Sequence, residues 1–162
     1  MSKTLFVEFR GRGFWAYDVI SGVFLKHLID TASRGLGDGS QPWLVGAIAN
    51  WRVSAVISDL GFFLDDDWSD QQIKTFTALA EKACKELSRR CEIPADEIAS
   101  WPILDDLKIF PRGLPAVGTQ SPIRLGQAVI QLVNGSLPEP PAGTWWFFGT
   151  EDAPRTLTKR ES

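Results

Sequence analysis

Carboxylates are the side chains this sequence gathers most closely. Asp65, Asp66 and Asp67 are consecutive, with Asp59 upstream and Asp70 just beyond. Such a run can complement the positive end of a helix dipole, meet a basic partner, or ligate a metal. A calcium loop starting at Asp65 needs glycine at its sixth place and glutamate at its twelfth; those places hold Asp70 and Phe76. The calcium-loop pattern therefore fails. Asp105-Asp106 is a second acidic pair. It can join the first patch or supply acid and base, and adjacent carboxylates also suit an exposed turn.

Other reactive types are sparse. His27 is the sole histidine, which excludes a multi-histidine metal site within one chain. Gly-x-Ser-x-Gly, His-Glu-x-x-His and Cys-x-x-Cys are all missing. Cys84 and Cys91, on one helix, would place their Cα atoms about 10 Å apart, too far for a disulfide. A helix middle and end do not favour a thiolate. Arg10 and Arg12 flank a glycine at a strand end and can bind an anion. Arg12, Tyr17 and His27 together are the candidate lining of a ligand pocket. The glycines of Ser33 to Ser40 suggest a phosphate cradle but lack the Gly-Lys-Ser/Thr ending. Trp145 and Trp146 are strand neighbours that point opposite ways, so one indole can face the core while the other offers an interface anchor.

The element that must position the acidic run is a helix through Trp68 to Arg90. Ser69 and Gln72 form a capping box, with Trp68 before the cap and Ile73 after it as a hydrophobic staple. Ile73, Phe76, Ala80, Ala83 and Leu87 recur at helical period. Glu81 with Lys85, Lys82 with Glu86 and Glu86 with Arg90 have the spacing of ion pairs.

Upstream, Lys3 to Arg10 alternates as a strand. Leu5, Val7 and Phe9 face the core, and Thr4, Phe6, Glu8 and Arg10 face the other side. Phe14 to Ala32 reads as a helix, with Gly22 marking a close approach or a kink. Pro42 to Trp51 reads as a helix that can run on to Ile57, although Trp51, Val53, Ala55 and Ile57 also alternate as a strand would. Downstream, Pro94 to Ile98 opens a short helix, Leu107 to Phe110 is a short strand, and Leu114 to Gln120 is a loop. Ser121 caps a further helix, with Pro122 at its first position and Asn134-Gly135 at its stop. Pro138, Pro140 and Pro141 stiffen a connector to a hairpin over Gly143 to Lys159.

These elements predict an α+β fold in a single globular domain over 1–162: a small mixed or antiparallel sheet packed by about four or five helices. The first strand, Leu107–Phe110 and the final hairpin are expected to share that sheet. With 44% hydrophobic residues the chain can bury a real core, and seven Trp with ten Phe leave aromatics for a binding face. A net charge of −3 argues against broad nucleic-acid or anionic-membrane binding. The N-terminus lacks an apolar leader, no run reaches the roughly 18 apolar residues of a membrane helix, and the cysteines suit a reducing compartment, so a cytoplasmic location is expected.

The sequence thus points to a cytoplasmic, non-catalytic protein-binding domain with no cofactor. Its partner would be a protein with a basic surface, and the most concrete version is an immunity-type or inhibitor protein that neutralises a basic toxin or nuclease. The residues expected at that contact are Asp65, Asp66, Asp67, Trp68, Asp70, Trp145 and Trp146. The alternatives are a small enzyme or ligand-binding domain with a pocket near Arg12, Tyr17 and His27, and a homo-oligomeric structural protein that meets its copies through Trp145 or Trp146.

Overall fold

A computed structural model describes residues 4–36 and 41–159. Its architecture is α+β. The elements in order are β1 (Thr4–Phe9), β2 (Arg12–Tyr17), α1 (Asp18–Arg34), α2 (Pro42–Val56), a short 3-10 turn (Ser58–Leu60), α3 (Asp70–Leu87), β3 (Glu92–Pro94), α4 (Ala95–Ser100), β4 (Ala116–Gly118), α5 (Gln120–Val133), β5 (Thr144–Phe148) and β6 (Arg155–Thr158). The main sheet is mixed, in the order β1-β2-β5-β6, with β2 and β5 parallel and the two outer pairs antiparallel. A second, two-stranded sheet joins β3 to β4.

The N-terminal hairpin departs from expectation. Phe14 to Tyr17 begin no helix; they complete β2. The backbone angles explain why: Arg10 (φ 52°) and Gly11 (φ 81°) both take left-handed conformations. Two such residues make the tight turn whose twist matches a hairpin. Phe9 pairs with Arg12, so β2 folds straight back along β1. Phe14 and Ala16 then enter the core beside Leu5, Val7 and Phe9, and Trp15 takes the other face. The helix starts only at Asp18. From there α1 is the central helix, packed by α2, α3 and α5. Gly22 does mark a close approach: a Cβ there would lie 3.1 Å from the Ala55 carbonyl of α2.

Three further expectations are revised. Leu107–Phe110 forms no strand and shares no sheet; a single bridge links Leu104 to Leu107, and Ile109 alone is buried. The expected loop Leu114–Gln120 contains β4, which finds its partner in β3 just before α4. Helix α5 begins at Gln120, ahead of Ser121, whose side chain is buried rather than capping. By contrast α2 stays helical to Val56, and the box of Ser69 and Gln72 at the head of α3 is complete in both directions. Of the expected helical ion pairs, Glu86 instead meets Arg89, and the Arg90 guanidinium donates two hydrogen bonds to the Glu97 carboxylate of α4, at 2.6 and 2.9 Å. The glycine loop of Ser33 to Ser40 falls partly outside the described residues; Ser33 and Arg34 belong to α1.

Candidate functional site

The acidic run forms a turn that leads into α3. Asp65 accepts the Asp67 amide through Oδ1 at 2.9 Å, an Asx turn that fixes the backbone locally. Asp66 accepts the Arg10 amide through Oδ1 at 2.8 Å. The Arg10 guanidinium in turn donates to the carbonyls of Asp66 (3.0 Å) and Trp68 (2.8 Å). The tip of the first hairpin is thereby tied to the head of α3. Trp68 is 3% exposed, with its indole among Phe9, Trp43, Phe63 and Phe76. It anchors the acidic turn to the core and offers no surface to a partner. Asp67 and Asp70 are exposed, but Asp70 lines a separate depression with Arg10, Arg12 and Lys74. The carboxylates therefore divide between two faces.

Asp65 and Asp66 face the larger opening, a groove of about 950 Å³ between β1 and residues 58–66. Glu8 and Asp59 also line it, and among the described residues its walls contain no lysine or arginine. Phe6 and Trp15 supply aromatic surface, with Leu60 and Phe63 opposite. Gly61 lets the wall pass close to the strand. Its φ of 70° is a left-handed value, and a Cβ there would lie 3.1 Å from the Phe6 carbonyl. The wall thus covers the edge of β1, which makes strand addition a poor use of the groove. What remains is a surface for side chains.

That surface continues across the sheet. Gly13 has no side chain, and the Phe6 ring lies over it; a Cβ there would meet the ring at 2.8 Å. Phe6 consequently touches Trp15 at 5.0 Å between centroids and also Trp145, two strands away, at 5.2 Å. The Lys159 ammonium sits 4.2 Å above Trp145, so a cation already occupies one end of this aromatic row. Trp146 takes the opposite side of β5, packs against the core and donates its indole N–H to the Pro138 carbonyl at 2.8 Å. Both indoles are half-buried, and Trp145 is the one that shares the outer face.

The other candidate trio does not converge. Arg12 and Tyr17 stand at opposite ends of β2, roughly 17 Å apart at strand rise. Arg12 donates to the Leu137 carbonyl at 2.7 Å and pairs with Glu139 at 3.1 Å. His27 lies within α1, its Nδ1 2.8 Å from the Val23 carbonyl and its ring edge-on to Trp101. Burial is the main reason its pKa is held below the ordinary 6.5. Burial likewise raises the Cys84 thiol to about 11, helped by Glu81, so it stays protonated at neutral pH. Among the described residues no three His, Cys, Asp or Glu side chains are grouped to hold a metal ion, and no helix is long and apolar enough to cross a membrane.

Reading from sequence found Asp65 and Asp66 but missed Glu8, Phe6 and Trp15 as their companions. The alternation of β1 already placed Phe6 and Glu8 on one face; the missing piece was the hairpin turn that sets Trp15 beside them. In comparisons with known proteins, the chain matches no family model, no curated protein and no solved structure.

Proposed function

We propose that this chain is a non-catalytic protein-binding domain that docks a basic protein on its acidic, aromatic-lined groove, in the manner of an immunity-type or inhibitor protein facing a basic toxin or nuclease. One observation carries the reading: Glu8, Asp65 and Asp66 open onto one groove that has aromatic surface and, among the described residues, no cationic side chain. Carboxylates of one sign in a concave wall steer a cationic partner and raise its rate of encounter, while apolar surface holds it once water is excluded. Asp65 and Asp66 are fixed by bonds to backbone amides, so little ordering is needed when a partner arrives.

The test is capture of a cationic protein from native cytosol at low and at moderate salt. The variant to compare carries Glu8→Gln, Asp65→Asn and Asp66→Asn, which removes charge but keeps each oxygen acceptor. The expected result is a partner held at low salt, weakened at moderate salt, and lost from the variant with no change in thermal unfolding. A partner retained equally by the variant, or no salt-sensitive partner at all, defeats the reading.

A further inference from the structure

Positive charge gathers elsewhere on this acidic molecule. Arg34, Lys82, Lys85 and Arg89 line one depression of about 400 Å³ at the C-terminal ends of α1 and α3, and Glu86 is the single carboxylate among the described residues that line it. The depression shares no lining residue with the acidic groove. Lys82, Lys85 and Arg89 follow at intervals of three and four residues, so they take one side of α3 and its last turn and span about 10 Å along the axis. Arg34 comes from α1, which packs on α3.

The ion pairs that their spacing offers to Lys82 and Lys85 do not form. Glu86 meets Arg89 at 3.4 Å instead. Among the described residues Arg34, Lys82 and Lys85 have no ion-pair partner. A cation near each helix end would serve the helix dipole, but that attraction fades within the last turn, and Lys82 stands ahead of it on α3. Unpaired cations around one concavity repel each other and concentrate any anion that enters it.

The rest of the lining narrows the kind of anion. Leu79 is the one large apolar side chain there, and no aromatic ring is present among the described residues, so neither a nucleobase nor an acyl chain finds a platform. The Thr31 hydroxyl donates to the His27 carbonyl at 2.8 Å, which leaves recognition to the cations. Guanidinium and ammonium groups together suit phosphate oxygens, the first by paired bonds and the second as a point charge. The volume falls within the roughly 300–1,000 Å³ of small-molecule sites. A net charge of −3 repels an extended anion such as a nucleic-acid strand or an anionic bilayer far more than a small one.

We propose that this depression is a binding site for a small soluble ligand that carries two phosphate groups. It is independent of the acidic groove and stands whether or not that groove docks a protein. The probes are fructose bisphosphate, phosphorylated at both ends, and fructose monophosphate, titrated calorimetrically into the full chain at equal ionic strength. The bisphosphate should bind about tenfold more tightly. Lys82→Gln with Lys85→Gln, and separately Arg34→Gln, should each remove most of that advantage. All three positions are exposed and glutamine matches lysine and arginine in helix propensity, so thermal unfolding should not change. Lys74→Gln with Lys108→Gln removes equal charge away from the depression and should leave binding intact. Equal affinity for the two sugars, or an equal loss in the Lys74 and Lys108 variant, would reduce the cluster to a solvated helix face. Full binding by Arg34→Gln would refute a site shared between the two helices. If the chain instead sediments with vesicles of phosphatidylcholine and phosphatidylinositol bisphosphate, is released by the Lys82 and Lys85 changes, and ignores the free sugar, the phosphates belong to a lipid headgroup and the soluble ligand is overturned.

Discussion

His27 shows how one buried side chain can set a pH response away from the groove. Its ring is enclosed by Val23, Trp101 and the α1 backbone, with Lys26, Asp30 and Glu86 as the nearby charges. Burial, aided by Lys26, outweighs the hydrogen bond to the Val23 carbonyl and the attraction of the two acids, so the folded state binds the proton less readily than the unfolded chain, whose value is the ordinary 6.5. Stability from this group is therefore complete above about pH 6.5 and is lost as pH falls through the lowered folded-state value. His27→Gln should flatten the loss of unfolding free energy between about pH 6.5 and 5, as read by urea titration at each pH. An unchanged slope would remove His27 as its source. The contrast with Trp68 is instructive. Its place before a capping serine was legible from sequence, but whether the indole faced a partner or the core depended on Phe9 and Trp43, which are distant in the chain.

At the level of elements, α3 was readable because every signal for it is local: cap, stripe and stop lie within one stretch. Strand β2 was misread because Trp15 and Val19 mimic helical spacing, while the decisive signal was a two-residue turn at Arg10-Gly11. Leu107–Phe110 shows the converse. Its alternation is real, since Ile109 is buried and Phe110 exposed, yet no neighbouring strand pairs with it along its length. Helix packing yields a prediction whose sign propensity alone gets wrong. Gly126 in α5 lies against α1 and α3, and a Cβ there would stand 2.6 Å from the Phe24 ring and 2.8 Å from the Cys84 sulfur. Phe24 is fully buried and cannot withdraw. Gly126→Ala should therefore destabilise by about 1–3 kcal/mol from overpacking, against a helix-propensity gain of about 1 kcal/mol. Chemical denaturation would show it, and a stabilised variant would mean that the three helices meet less closely.

Across the whole molecule, the groove joins parts far apart in sequence: the first strand, the second, and the stretch ahead of α3. Asp65 and Asp66 stand out in the sequence because they are adjacent in the chain, whereas Glu8 and the aromatic surface do not, because only the folded sheet brings them alongside. The link between Arg10 and the head of α3 holds these parts in register. That link has a practical consequence for anyone who would label or tag the protein. Exposed hairpin tips are ordinarily the safest places to splice in foreign sequence. Here the two-residue turn is also a rivet, and a short epitope placed between Arg10 and Gly11 should lower the melting temperature and disturb Trp68 fluorescence, whereas the same epitope beside Gly143, on the open end of the C-terminal hairpin, should leave both unaltered.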